Sequence, residues 1–85
     1  MAYTDSIGII GAGKLGLSLA LACDSANIPF VIGSRNPARA QNALREYSSN
    51  SFSVLTPSEA AKQASLILLT CADHDIESIC DEISV

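Results

Sequence analysis

Ile7-Gly8-Ile9-Ile10-Gly11-Ala12-Gly13-Lys14-Leu15-Gly16 decides the reading of this chain. An apolar, β-branched run leads directly into Gly-x-Gly-x-x-Gly and then into a segment rich in leucine and alanine. That order suits one physical task, bringing a pyrophosphate against protein backbone. Gly11 would make the tight turn off the strand. Gly13 would let the main chain approach the phosphates where a Cβ would collide. Gly16 would let the following helix pack closely on the sheet. The helix N-terminus then offers free N–H groups and its positive dipole end to the anion. Spaced glycines alone carry little information, so the rest of the chain must supply the context.

The 85 residues make one small domain, residues 1–85, and not two. A chain of this size buries roughly two-thirds of its unfolded surface, which leaves a thin margin of stability. Hydrophobic residues make up 48% and charged residues 16%, a globular rather than a disordered composition. The formal net charge of −4 argues against nucleic acid as a partner, because phosphate backbones need a basic surface. The charges are unevenly placed: Arg35, Arg39 and Arg45 cluster, while Asp73, Asp75, Glu77, Asp81 and Glu82 crowd the C-terminal segment as a solvated helix face. Cys23, Cys71 and Cys80 are odd in number, lack metal-ligand spacing and lie in apolar runs. They read as buried hydrophobes in a reducing cytoplasm. The run from Leu15 to Cys23 has the character of a signal-peptide core, but Asp5 precedes it and glycines interrupt its start. No stretch approaches the ~20 apolar residues of a membrane span.

The remaining pattern alternates strands and helices. Strand one is about Ser6 to Ile10 and helix one about Lys14 to Ala26, with Leu15, Leu19, Ala22 and Ala26 at helical spacing. Asn27 can take a left-handed cap, Ile28 can pack back and Pro29 forbids continuation. Strand two is about Phe30 to Gly33. Asn36 caps a helix with Pro37 at its first position and a buried stripe of Ala40, Ala43, Leu44 and Tyr47. A polar loop, Ser48 to Ser51, precedes a short strand from Phe52 to Leu55. Thr56-Pro57-Ser58-Glu59 is a capping box that starts a helix, in which Ala60, Ala61 and Ala64 permit close packing. Leu66 to Thr70 is apolar on both faces, as a central parallel strand should be. The last helix carries Ile76, Ile79, Cys80 and Ile83, with Asp73 as its expected cap. This alternation implies an α/β fold, a doubly wound parallel sheet of about four strands in the order 3-2-1-4 with helices on both faces. The loops after strands one, two and four would then converge where a nucleotide lies.

The end of strand two chooses the cofactor. Folds of this kind that prefer NAD place Asp or Glu ~20 residues beyond the glycines to hold the ribose 2′-hydroxyl. No acid occurs between Asp24 and Glu46, and strand two ends in Gly33-Ser34-Arg35-Asn36. Ser34 and Asn36 can donate hydrogen bonds to a 2′-phosphate. Arg35 can grip it with a planar fork or stack on adenine, and Arg39 adds charge one turn on. The residues therefore favour NADP over NAD. The plain alternative makes Arg35 and Arg39 surface residues and Ser34–Asn36 a turn.

Three segments together, Ile7 to Gly16, Val31-Ile32-Gly33-Ser34-Arg35-Asn36-Pro37 and Thr56 to Thr70, make the chain resemble the N-terminal domain of deazaflavin-dependent NADP reductases, the NADP oxidoreductase family. Similar Rossmann-type domains occur in STEAP ferric reductases and, more distantly, in pyrroline-5-carboxylate reductase and other relatives of 6-phosphogluconate dehydrogenase. The resemblance covers nearly the whole chain. It implies that Ser34 and Arg35 hold the 2′-phosphate and that the glycine loop, Gly11, Ala12, Gly13, Lys14, Leu15 and Gly16, holds the pyrophosphate. It also implies that Thr70, Cys71 and Ala72 line the ribose and nicotinamide end. Where many relatives carry Ala-Val-Pro or Ala-Val-Lys, this chain has Thr70-Cys71-Ala72-Asp73-His74. The family continues into further strands and a helical substrate or dimerisation domain, so the expectation is a cofactor domain that is not a complete enzyme alone.

Other candidates carry less. His74 suits proton transfer, yet Asp73 and Asp75 beside it suggest an exposed turn. Cys71 has no neighbouring cation to lower its pKa. Lys14 reads equally as a phosphate partner and as a solvated first-turn lysine. No nucleophilic triad or metal cluster is present in the sequence, so no catalytic residue is assigned. The reading is an NADP-binding domain of an oxidoreductase, in which the nicotinamide performs hydride transfer. The alternative is a non-catalytic dinucleotide-binding or interaction module that self-associates through the open edge of strand four.

Overall fold

The computed structural model describes residues 6–48 and 52–83. Its elements, in chain order, are β1 (Ile7–Ile10), α1 (Lys14–Ser25), β2 (Phe30–Gly33), α2 (Pro37–Arg45), β3 (Val54–Leu55), α3 (Pro57–Gln63), β4 (Leu66–Leu69), a 3₁₀ turn (Asp73–Asp75) and α4 (Ile76–Ile83). The strands form one parallel sheet in the order β3-β2-β1-β4, the Rossmann-type order expected. β1 lies between β2 and β4, with Ile7 opposite Phe30 and Leu66, and Ile10 opposite Gly33 and Leu69. This register brings the chain out of all three strands at the same end of the sheet.

Alternation along β1 sends neighbouring isoleucines into different layers. Ile9 packs with Ala20 of α1, Ile32 of β2 and Leu44 of α2 on one face. Ile10 packs with Val31, Ala60 of α3 and Ile79 of α4 on the other. Each fully buried isoleucine stabilises the fold by about 1.5–3 kcal/mol. Two layers meeting at one strand therefore fix the position of the loop that follows it.

Helix ends are set by local chemistry. Asn27 adopts φ 57°, its N–H donates to the Asp24 carbonyl at 3.2 Å, and the Ile28 N–H donates to the Cys23 carbonyl at 2.9 Å. These are the paired bonds of a Schellman stop. Asn36 Oδ1 accepts from the Arg39 N–H at 3.2 Å, ahead of Pro37. At α3 the capping box is complete. Thr56 Oγ1 accepts from the Glu59 N–H at 3.3 Å, and Glu59 Oε1 accepts from the Thr56 N–H at 3.2 Å and hydroxyl at 2.9 Å. These bonds pull the Glu59 carboxyl below the usual glutamate range, the Thr56 backbone donor contributing most, then its hydroxyl and then Lys62.

Several expectations are corrected. The buried stripe of α1 is Gly16, Ala20 and Cys23, while Leu15 is exposed, because the close approach is made through small residues. Ile28 is also exposed rather than packed back. α2 stops at Arg45, which turns Tyr47 out of its stripe to 69% exposure. β3 is only two residues long. Phe52 stays outside it but packs its ring on Phe30, centroids 5.7 Å apart. The 3₁₀ turn Asp73–Asp75 intervenes between Asp73 and the start of α4 at Ile76. Cys80 is exposed, on the face of α4 turned from Ile79. β4 lies at the edge, as the order 3-2-1-4 implies, so its doubly apolar sequence is not buried as that of a central strand would be. Of the expected polar loop, residues 49–51 lie outside the described residues.

Candidate functional site

At the C-terminal ends of β1, β2 and β4 a cleft of about 620 Å³ opens. Its floor is the turn after β1. Gly11 has φ +114°, and a Cβ there would fall 2.9 Å from the Cys71 nitrogen and 2.9 Å from Thr70 Oγ1, so only glycine makes this turn. Gly16, on the first turn of α1, presses against the Gly11 carbonyl with no room for a side chain. Thr70 completes the clamp. Its hydroxyl proton is shared between the carbonyls of Ile10, at 3.1 Å, and Gly11, at 2.9 Å. The Thr70 N–H also donates to Ile10 at 2.8 Å.

Gly13 differs from its neighbours. Its φ of −79° suits any residue, and a Cβ there would meet nothing within 4 Å. Packing within the described residues thus gives no reason for glycine. Gly13 is the N-cap of α1, and no side chain caps that helix, whereas Asn36 and Thr56 cap α2 and α3. Backbone donors at the N-terminus of α1 therefore have no side-chain cap, and Gly13 and Lys14 there line the cleft.

The second wall follows β2. Ser34 Oγ accepts from the Asn36 N–H at 3.1 Å, which leaves its own proton to donate into the cleft. The side-chain oxygen of Asn36 is engaged in capping α2, so its amide nitrogen is what remains for a ligand. Arg35 crosses toward α4: its Nε donates to Glu82 Oε2 at 3.2 Å and its Nη2 to Ser78 Oγ at 3.0 Å. Lys14 and Arg39 also line the cleft and make no ion pair among the described residues.

Thus Gly11, Ala12, Gly13, Lys14, Ser34, Arg35, Asn36, Arg39, Thr70, Cys71 and Ala72 surround one space, while Leu15 and Gly16 do not line it. Gly16 serves the turn from behind and Leu15 points to solvent. Leu17, Gly33, Ala40, Ala43, Pro57, Asp75 and Ile79 also line it and were not anticipated. Of these, Gly33 carried a signal, as the residue that ends β2. A Cβ there would meet Ile10, Pro57 and Ala60 at 2.8–3.0 Å. His74 stands outside the cleft, 83% exposed, with Nε2 3.5 Å from Asp75 Oδ2, as an exposed turn requires. Cys71 is partly buried in the wall and Cys23 is buried in the core. Among the described residues no three His, Cys, Asp or Glu side chains group to hold a metal ion. No helix among them is long and apolar enough to cross a membrane.

Residues 6–85 match the family described as NADP oxidoreductase, coenzyme F420-dependent, and the chain belongs to that family. No curated protein matches it. Membership makes this an NAD(P)-binding oxidoreductase domain, with a dinucleotide as its cofactor.

Proposed function

We propose that the cleft holds NADP, with its pyrophosphate over Gly11–Gly13 and the end of α1 and its 2′-phosphate at Ser34 and Arg35. The observation that carries this reading is Gly13. Its backbone is ordinary and no atom of the described residues crowds its Cβ position, so beyond glycine's modest advantage over alanine as an N-cap the demand for glycine falls to a group that is not part of the fold. A pyrophosphate drawn against the main chain supplies that demand. NADP is favoured over NAD because the end of β2 offers a hydroxyl proton and a guanidinium and no carboxylate of its own.

When bound, the nicotinamide supplies hydride transfer. The chain's own residues bind and orient. Thr70 fixes the glycine turn, Gly11 and Gly16 hold the end of α1 at the cleft floor, and Lys14 and Arg39 add positive charge around it. Thr70, Cys71 and Ala72 would flank the nicotinamide end of the cleft. On this reading the chain is the cofactor domain of the enzyme, and its hydride partner is oriented by residues other than those of the cleft.

Titrating NADP and NAD into the protein tests the reading. NADP should bind more tightly, and Arg35→Ala should weaken NADP by one to two orders of magnitude while leaving NAD nearly unchanged, since it removes one charge-assisted contact worth about 1.5–3 kcal/mol. Equal affinities, or a preference for NAD, would remove the role of Arg35.

A second reading, that of a self-associating module, is favoured by β4. Among the described residues nothing pairs its outer edge, and Leu66, Ile67 and Leu69 of the strand are exposed. Two copies related by a two-fold axis could pair these edges. A strictly monomeric species in sedimentation at high concentration would exclude it.

A further inference from the structure

The guanidinium of Arg35 has two hydrogen-bonding edges, and α4 occupies one of them. On the edge formed by Nε and Nη2, Nε donates to Glu82 Oε2 at 3.2 Å and Nη2 to Ser78 Oγ at 3.0 Å. Ser78 and Glu82 stand four residues apart, on one face of the helix. Ser78 is itself anchored, donating to the Asp75 carbonyl at 3.1 Å. The contact therefore joins the loop after β2 to the helix after β4, across the mouth of the cleft. It leaves the far edge of the fork without a partner among the described residues.

Arg35 is half exposed and Glu82 about a third exposed, so the pair is weak and exchangeable. Its effect on charge is larger than its effect on stability. A carboxylate at 3.2 Å neutralises the one guanidinium that stands at the end of β2. A phosphate arriving at Arg35 meets the repulsion of that carboxylate across a few ångströms, or must displace it.

We infer that Glu82 is a specificity-determining residue, a built-in competitor for Arg35 that weakens the site for a 2′-phosphorylated dinucleotide and leaves the unphosphorylated one unaffected. The inference rests on the NADP reading of the cleft. It makes the preference between the two cofactors a property of α4 as well as of the loop after β2.

Glu82→Gln keeps the shape of the side chain and removes its charge at an exposed helical position, so the fold is retained. Titrations with NADP and NAD then read the effect. Glu82→Gln should tighten NADP about three- to tenfold and change NAD less than about twofold. In an Arg35→Ala background the same substitution should change NADP affinity less than about twofold. An unchanged or weakened NADP affinity in Glu82→Gln, or an equal gain for NAD, would overturn the inference. The two levels separate cleanly. If Arg35→Ala leaves NADP binding intact, the reading of Arg35 fails and Glu82 falls with it. If Arg35→Ala weakens NADP and Glu82→Gln does not strengthen it, the role of Glu82 alone is lost.

Discussion

β2 and β4 flank the same strand, each paired in parallel with all four residues of β1, yet they live in different surroundings. Val31, Ile32 and Gly33 of β2 are buried between two helix layers, with β3 closing the outer edge. On β4, Leu66, Ile67 and Leu69 are exposed, Leu66 at 55%, and nothing among the described residues pairs the outer edge. The two sequences are comparably apolar. The difference teaches that an apolar run tells what a strand is suited to and not what covers it. It also separates two kinds of contribution. β2 carries core energy and leads into the Ser34-Arg35 loop that lines the cleft. β4 carries little core energy but is followed by Thr70, whose hydroxyl holds the glycine turn.

The largest expected effect comes from truncating a side chain on each strand. Ile32→Ala should destabilise the protein by about 2–5 kcal/mol, because a fully buried side chain leaves a cavity. Leu66→Ala should cost less than about 1 kcal/mol, since most of its surface is already in water. Urea melts of the two variants measure this directly, and equal losses would erase the contrast. Thr70→Val comes next. It keeps the shape and removes the proton shared by the carbonyls of Ile10 and Gly11, for an expected loss of about 1 kcal/mol. Its binding loss should exceed what that figure suggests, because the glycine turn loosens. If calorimetry finds dinucleotide affinity unaltered, β4 has no part in shaping the site.

The smallest effect concerns α3, which packs beneath β2 and carries Ala60 into its core. Glu59 has a folded pKa held below its ordinary value, first by the Thr56 N–H and then by the Thr56 hydroxyl. A depressed folded pKa gives stability that is present in full above the unfolded pKa and is lost as pH falls through the folded one. The capping-box contribution is therefore complete at neutral pH and fades on acidification below the usual glutamate range. Glu59→Gln should flatten that acid limb slightly. The effect is small because the carboxylate is exposed, and an unaltered limb in acid melts would show that the cap adds nothing.

Much of this was legible in the sequence because it is local. The Schellman stop at Asn27, the cap at Asn36 and the box at Thr56 each lie within a few residues of the groups they satisfy. That the glycine loop and Ser34-Arg35 line one cleft was legible because parallel strands in the order 3-2-1-4 bring the ends of β1 and β2 together. What escaped depends on contacts distant in sequence. The Thr70 hydroxyl reaches carbonyls about sixty residues away, and Arg35 meets Glu82 across 47. No periodicity announces either. Tyr47 misled because a helical stripe was continued past the end of its helix. Leu15, Leu19, Ala22 and Ala26 show the helical spacing of α1 but not its buried face, because α1 approaches the sheet through Gly16, Ala20 and Cys23.

The site itself repeats the contrast between structure and ligand within one loop. Gly11 and Gly16 are demanded by neighbouring atoms, and Gly13 is not. Gly13→Ala is therefore the most direct test. Its melting temperature should fall by only a few degrees, in line with about 0.5–1 kcal/mol for a weaker N-cap. Its affinity for NADP in a calorimetric titration should fall about tenfold or more, because the added Cβ occupies the space of the pyrophosphate. A folded Gly13→Ala protein that binds NADP as tightly as the parent would contradict the assignment of this loop to the cofactor's phosphates.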